Sequence, residues 1–225
     1  MSKRLDKIAS YVKDGIGVAD IGTDHGYIPV MLCSRGYKGN IIGTDINEGP
    51  LSKARLSLHD AGYEDAVTLV LCDGLDGVNP ESVNTIIVAG MGGDTITGIL
   101  DRAEWCARED VRLILQPVTK PEILRYWLIN NGLQITDESL VKENGTVYQI
   151  ICAKQGMSEH YSDAELFTGK LERIKDEALF DEHIAIHLKR FKSAVNSLEN
   201  ARRGGLDDWL CILKNILREL EDTYI

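Results

Sequence analysis

The sequence has little cysteine and no long apolar segment. Its five cysteines are scattered along the chain, and no two of them have C-x-x-C spacing: Cys33, Cys72, Cys106, Cys152 and Cys211. This distribution argues against a structural zinc site or a disulfide framework, and indicates free thiols in a reducing cytoplasm. No apolar run approaches the roughly 18 residues that cross a bilayer, and residues 1–4 lack the apolar core of a signal peptide. We therefore expect a cytoplasmic protein without a metal or a membrane partner.

Basic residues are outnumbered as well. In the 225 residues, 25 Lys and Arg stand against 35 Asp and Glu, a formal net charge of −10. This balance argues against non-specific nucleic-acid binding. Residues 183–205 are an exception, because they contain one acidic residue, Glu199, and five basic ones: Lys189, Arg190, Lys192, Arg202 and Arg203.

Apolar runs alternate with helical stretches over the first 157 residues. A helix over residues 3–12 precedes β-then-α units, whose predicted helices span residues 27–35, 50–61, 94–106 and 121–131. The pair Asn144-Gly145 then separates two apolar runs, which is typical of a β-hairpin. This order predicts a doubly wound, Rossmann-like α/β sheet with one antiparallel strand at or near its edge. Its functional crevice lies at the carboxyl ends of the strands.

Residues 158–225 form a second predicted domain. From Ser162 onward there is no strand pattern and no proline, and apolar residues recur at helical spacing on both sides of Gly204-Gly205. Two antiparallel helices joined at that glycine pair are the simplest interpretation. We therefore expect residues 1–157 to carry a ligand-binding sheet and residues 158–225 a helical appendage.

The loop after the first strand reads Asp20-Ile21-Gly22-Thr23-Asp24-His25-Gly26. Its small residues let the backbone approach a ligand closely. A dinucleotide-binding G-x-G-x-x-G motif that starts at Gly22 requires glycine at positions 24 and 27, where the chain has Asp24 and Tyr27. Carboxylates also repel a diphosphate, so the loop suits a positively charged ligand.

Two further carboxylates follow the next two strands. Asp45, at the end of the second strand, can accept hydrogen bonds from both ribose hydroxyls, and Asp73, after the third, from an adenine amino group. Asp20 can reach a cationic amino-acid group, directly or through water. A cation that carries an adenosine is S-adenosylmethionine, which is therefore the expected cofactor.

These residues resemble the class I S-adenosylmethionine-dependent methyltransferases. Within them, the chain closely resembles the bacterial TrmK family in four segments: KRLDKIASYV (residues 3–12), DIGTDHGYIP (20–29), AGMGG (89–93) and Leu115-Gln116-Pro117. The resemblance covers the whole chain, including the tail, which is coiled-coil-like in that family. It implies methylation of N1 of adenine 22 in tRNA. The expected cofactor-binding residues are Asp20, Gly22, Thr23, Gly26, Asp45, Ile46, Asp73, Gly74, Gly90 and Met91.

The sequence after the fourth strand fits attack by a ring nitrogen. Exocyclic amino methyltransferases have an Asn/Asp-Pro-Pro-aromatic motif where this chain has residues 90–93, GMGG. A ring nitrogen with a free lone pair needs no deprotonation, so that motif is dispensable. Asp24 is the candidate for negative charge near the developing cation. His25 and Tyr27 are candidates for orienting or stacking on the base. The alternative for Asp24 is a turn-forming or helix-capping residue.

Several alternatives stay open. The tail cations, with Lys3, Arg4 and Lys7, are candidates for tRNA phosphate contacts, or else an ordinary solvated helix face. His183 and His187 lack a third metal ligand, which favours a packed or solvated helix face. The chain could instead methylate a protein or small molecule, or bind RNA without catalysis; a nicotinamide oxidoreductase is disfavoured by Asp24 and Tyr27. The oligomeric state is unknown, with a monomer slightly favoured.

Overall fold

The computed structural model describes residues 2–174, 176–200 and 207–224. The chain divides into two compact units, Met1–Glu159 and His160–Ile225. No helix in the described residues combines the length and the apolar character that crossing a membrane requires.

The first unit is built on one seven-stranded sheet in the order β3-β2-β1-β4-β5-β7-β6. Its strands are β1 Gly17–Ile21, β2 Asn40–Asp45, β3 Thr68–Leu71, β4 Thr85–Gly92, β5 Arg112–Thr119, β6 Leu133–Glu143 and β7 Thr146–Gln155. Strands β1 to β5 pair in parallel, whereas β7 runs antiparallel to both β5 and β6. The predicted doubly wound sheet with one reversed strand next to its edge is confirmed.

Five helices cover this sheet: α1 Lys3–Ser10, α2 Tyr27–Ser34, α3 Glu48–Ala61, α4 Gly93–Asp101 and α5 Pro121–Asn130. The prediction of one helix over residues 94–106 is wrong at its end. Helix α4 stops at Asp101, and a short 3₁₀ helix, Glu104–Ala107, follows. The helical spacing of apolar residues continues past Asp101 because Ala103 and Cys106, which belong to the cap and the body of the 3₁₀ helix, are also buried.

Burial explains why the parallel strands are almost continuously apolar. All five residues of β1 are buried, and Ile86, Ile87 and Val88 of β4 are inaccessible to solvent. Such strands are covered by helices on both faces. The polar residues that end these strands consequently meet at one rim of the sheet.

A buried ion pair fastens helix α5 to the hairpin of β6 and β7. The guanidinium of Arg125, which is 0% exposed, lies 2.7 Å from a carboxylate oxygen of Glu138 on β6. It also donates to the side-chain oxygen of Gln149 on β7 at 2.6 Å. Because a buried charge is costly without a partner, this network fixes the hairpin relative to helix α5.

We expect Glu138→Leu to lower the free energy of unfolding of the first unit by about 3–5 kcal/mol, because it leaves the Arg125 guanidinium buried without its counter-charge. Urea denaturation followed by circular dichroism measures this loss. The control Glu109→Gln, at an exposed position, should have little effect. The double variant Arg125→Met/Glu138→Leu should recover much of the loss. Equal stability of Glu138→Leu and wild type would contradict the role given to the pair.

The second unit consists of helices α6 Asp163–Thr168, α7 Glu177–Asn200 and α8 Asp207–Tyr224. Helix α6 begins with a reciprocal capping box between Ser162 and Glu165. Helices α7 and α8 pack against each other through buried apolar side chains: Phe180, Ile184, Phe191 and Val195 from α7, and Leu213, Ile216 and Leu220 from α8. The predicted helical appendage is therefore present. The predicted break at Gly204-Gly205 lies outside the described residues.

Candidate active site

A cavity of about 540 Å³ lies at the carboxyl ends of β1, β2 and β4. It brings together most of the predicted site residues: Asp20, Gly22, Thr23, Asp24, His25, Tyr27, Asp45, Gly90 and Met91. The remaining lining residues were not predicted for this place: Ser2, Arg4, Leu5, Ile28, Ala89 and Glu143. The volume falls within the range of small-molecule sites.

The loop after β1 makes a close turn beneath the cavity. Gly22 has φ +70°, and a Cβ added there would lie only 2.3 Å from the Cε atom of Met91. The N–H of Thr23 donates to the carbonyl of Thr44 at 2.8 Å, which holds the loop against the end of β2. Only glycine fits position 22 without strain, so the backbone itself forms this part of the wall.

Asp20 lies at the bottom of the site. Its side chain is buried and accepts a hydrogen bond from the Thr23 hydroxyl at 2.7 Å. Burial raises the pKa of the Asp20 carboxyl to about 7, although the Thr23 hydrogen bond lowers it. A cation placed beside this group would favour its ionised form.

Asp45 ends the neighbouring strand β2 and is also buried. Its Oδ1 atom accepts the N–H of Asn47 at 3.0 Å, which orients the carboxylate at the start of α3. Strands β1 and β2 pair in parallel register, so Asp20 and Asp45 occupy adjacent strand ends. This juxtaposition is the one that the sequence pattern predicts.

Four of the predicted cofactor residues do not line the cavity. Asp73 forms an exposed ion pair with Arg102 at 2.9 Å, and Ile46 is 61% exposed. Gly74 turns with φ +60° beside Ile99. Gly26 is the N-cap of α2. Ile46, Asp73 and Gly74 therefore follow the ends of β2 and β3 beside the cavity, whereas Gly26 shapes the loop after β1.

Asp24, His25 and Tyr27 form the exposed side of the cavity. Asp24 has a left-handed backbone with φ +49°, and its carboxylate lies 3.7 Å from Nε2 of His25. The rings of His25 and Tyr27 are stacked, with centroids 5.2 Å apart and planes at 5°. Because Gly26, not Asp24, is the N-cap of α2, the helix-capping alternative for Asp24 is wrong.

The chain's amino-terminal helix and the hairpin supply residues that the sequence pattern missed. Glu143, at the end of β6, accepts hydrogen bonds from the Ser2 hydroxyl at 3.1 Å and the Arg4 N–H at 3.4 Å. Burial favours the neutral form of Glu143, but these bonds, one from the Lys3 N–H and the positive charge of Arg4 outweigh it and lower the pKa of Glu143. Arg4 also donates a hydrogen bond to the side-chain oxygen of Gln116. Arg4 and Gln116 do have a sequence signal, since both belong to segments that resemble the family.

The basic residues predicted to contact RNA separate into distinct environments. Arg4 lines the cavity, whereas Lys3 is exposed and Lys7 lies 5.0 Å from the ring of Tyr11. On α7, Lys189 and Arg190 are exposed, and Lys192 is ion-paired with Glu221 at 2.7 Å. Arg202 and Arg203 lie outside the described residues.

The histidines of α7 belong to its packed face. His183 and His187 are 3% and 6% exposed, and their rings lie among those of Phe180 and Phe191. Within residues 2–174, 176–200 and 207–224, no group of three or more His, Cys, Asp or Glu side chains is arranged to hold a metal ion.

Comparison with known proteins agrees with this geometry. A family described as a methyltransferase domain matches residues 1–151. The tRNA (adenine(22)-N(1))-methyltransferase of Bacillus subtilis is 31% identical over 156 residues, 69% of this chain and 66% of that relative. The structure of M. capricolum TrmK with S-adenosyl-homocysteine has a TM-score of 0.82 at 25% identity and covers 100% of this chain and 99% of that one. The chain belongs to the TrmK family.

A second TrmK-like structure supports the same conclusion. Streptococcus pneumoniae Sp1610, in complex with S-adenosyl-L-methionine, has a TM-score of 0.80 at 30% identity and covers 96% of this chain and 99% of that one. The family resemblance read from the sequence motifs is confirmed, and it extends through the helical second unit.

The raised pKa of Asp20 predicts a pH-dependent stability. Between pH about 4 and about 7, the folded protein keeps a proton that the unfolded chain has released. The free energy of unfolding contributed by Asp20 therefore falls as the pH rises through this window and levels off above it. We expect Asp20→Asn to match wild type at pH 4 and to be more stable at pH 8, as measured by urea denaturation.

The control Asp65→Asn, at an exposed position, should show the same pH profile as wild type. If the Asp20→Asn and wild-type curves stay parallel from pH 4 to pH 8, Asp20 does not carry the raised pKa.

Proposed function

We propose that this chain is an S-adenosylmethionine-dependent methyltransferase that modifies N1 of adenine 22 in tRNA. The observation that carries the proposal is the acidic cavity of a TrmK-family chain. Four carboxylates line it: Asp20, Asp24, Asp45 and Glu143. Such a lining favours a nucleoside with a positive charge and disfavours the diphosphate of a nicotinamide cofactor.

The residues present fit the cofactor. The glycine turn at Gly22 leaves backbone instead of side chain at the cavity wall, and the buried carboxylate of Asp45 is a suitable acceptor for two ribose hydroxyls. Asp20 faces the amino-acid end, and Thr23, Gly90 and Met91 line the surrounding wall. Gly26 shapes the loop as the N-cap of α2. We assign the adenine end to the residues that follow β2 and β3: Ile46, Asp73 and Gly74.

S-adenosylmethionine supplies a methyl group on a positively charged sulfur, which the lone pair of adenine N1 can accept. The protein's part is to hold the base in line and to stabilise the positive charge that develops on it. We assign that role to Asp24, which lies at the exposed side of the cavity and can also accept a proton from the exocyclic amine. The stacked rings of His25 and Tyr27 offer a flat surface for a base extruded from the tRNA.

The second unit is proposed to contact the tRNA backbone. Lys189 and Arg190 are exposed neighbours on α7, and their charges can meet phosphates. Lys192 contributes less, since Glu221 already neutralises it. Arg202, Arg203, Lys3 and Lys7 complete the proposed basic set. The proposed place of action is the cytoplasm.

The function is tested by incubating the protein with S-adenosylmethionine and bulk tRNA and mapping the methylated nucleotide. We expect a methyl group on N1 of adenine 22, and none on a tRNA in which that adenine is replaced. Asp24→Asn should lower turnover by about 100-fold, because one charge that stabilises the reacting base is removed. Its affinity for S-adenosylhomocysteine, measured by calorimetry, should stay close to wild type.

Asparagine tolerates the left-handed backbone at position 24, so Asp24→Asn preserves the loop. The control Asp65→Asn should leave turnover unchanged. Near-normal turnover of Asp24→Asn would remove Asp24 from the mechanism. Methyl transfer to protein or small molecules but not to tRNA would contradict the proposed substrate, and cofactor binding without any methylated product would indicate a non-catalytic RNA-binding module.

For the tail, Lys189→Ala/Arg190→Ala should raise the Kd for tRNA and lower the slope of log Kd against log salt concentration by about 1–2, because two phosphate contacts are lost. Filter binding over a salt series measures both quantities. The matched control Lys38→Ala/Lys53→Ala removes two exposed cations of the first unit. If both double variants behave alike, the effect reflects net charge and not a contact surface on α7.

A further inference from the structure

A second cavity, of about 250 Å³, lies at the other end of the sheet from the candidate active site. Helix α4 starts after the carboxyl end of β4 and runs back to the amino end of β5, and its last residues, Leu100 and Asp101, line this cavity. Leu133, where β6 starts, lines it as well. None of the described residues lines both cavities. A ligand bound here would therefore not compete with the cofactor for space.

Most of the wall of this second cavity is apolar. Burial raises the pKa of the Cys106 thiol, so that this side chain stays uncharged at neutral pH. The half-buried indole of Trp127 lines another side, and its N–H donates to a carboxylate oxygen of Asp101 at 3.4 Å. Such a wall suits a hydrocarbon chain. Its aliphatic and thiol members are Leu100, Ala103, Cys106, Ala107 and Leu133.

Two carboxylates border this apolar wall. Asp101 and Glu104 both line the cavity and are exposed, and no Lys or Arg is among the described residues that line it. Arg102, which lies between them in sequence, is paired instead with Asp73 at 2.9 Å. In the part of the chain that the structure describes, neither Asp101 nor Glu104 forms an ion pair. The cavity therefore offers two negative charges to a ligand.

Two helices also end at this cavity. Asp101 is the last residue of α4, and Asn131, which lines the cavity, is the C-cap of α5. The last carbonyl groups of a helix carry a partial negative charge, which favours a cation nearby. The face of an indole ring attracts cations too. The carboxylates, the helix ends and the indole thus all favour a positive charge, whereas the rest of the wall favours an apolar chain.

The size of the cavity limits its ligand. Its volume of about 250 Å³ equals the share of about eight water molecules, at about 30 Å³ each. This space suits a ligand of about seven or eight non-hydrogen atoms, which excludes a nucleotide. We propose that the cavity binds a small linear aliphatic diamine, with its methylene groups against the apolar wall and its ammonium groups beside Asp101 and Glu104.

A lysine side chain of another protein carries the same alkyl-ammonium chemistry. It has one ammonium group, whereas the cavity has two carboxylates without ion pairs, so the free diamine is the better match. The proposal does not depend on the proposed function. Saturation of the protein with S-adenosylhomocysteine should therefore leave the Kd of the diamine unchanged.

The test is a calorimetric titration at low salt with 1,5-diaminopentane, and separately with 1,5-pentanediol, which has the same length and no charge. We expect a heat of binding for the diamine and none for the diol. Asp101→Asn/Glu104→Gln should raise the Kd of the diamine by about 10-fold, because both charges are removed while the side chains keep their shapes. The control Asp60→Asn/Asp65→Asn removes two exposed carboxylates elsewhere in the first unit and should leave this Kd unchanged.

Ala107→Leu distinguishes the cavity from the acidic surface around it. It fills part of the cavity and keeps both carboxylates, so it should also raise the Kd of the diamine by about 10-fold. Circular dichroism checks that each variant is folded. Unchanged binding by folded Ala107→Leu, or an equal loss in the two double variants, would overturn the inference. Tighter binding of Nα-acetyl-lysine methylamide than of the diamine would assign the cavity to a lysine of another protein and would overturn it too.

Discussion

Four carboxylates share one small cavity with one arginine, and the desolvation of the buried Asp20 carboxylate constrains the site. Asp20 responds to its burial with a pKa raised to about 7, while hydrogen bonds keep Glu143 in its charged form. In the absence of a ligand, burial opposes the ionisation of Asp20. A cationic ligand beside Asp20 favours the ionised carboxylate. The cavity therefore favours a ligand with a positive charge.

Strands hold three of these four carboxylates in place, whereas Asp24 lies on the loop after β1. Asp20 and Asp45 end adjacent parallel strands whose residues are almost all buried. Glu143 arrives from the hairpin, which the buried pair of Arg125 and Glu138 anchors to α5. Groups placed on strands and helices keep their geometry better than groups on loops, as a site that positions a base requires. The side of the cavity that carries Asp24 is the part exposed to solvent.

The sequence predicts the sheet and its acidic rim because both depend on local pattern. Apolar strands alternate with helices, and the polar residues after parallel strands must meet at one edge. The presence of Arg4 and Glu143 in the cavity was not predictable in this way. It depends on where α1 and the hairpin, 139 residues apart at this contact, come together at the rim. Tertiary context likewise decides that Asp73 pairs with Arg102, which no spacing in the sequence indicates.

The central claim is that a cavity lined by carboxylates binds a sulfonium nucleoside. Its most direct test is a calorimetric titration of the wild-type protein with S-adenosylmethionine, and separately with NAD, at pH 8, where Asp20 is ionised. We expect one S-adenosylmethionine bound per chain and no heat of binding for NAD. Binding of NAD without binding of S-adenosylmethionine would contradict the central claim.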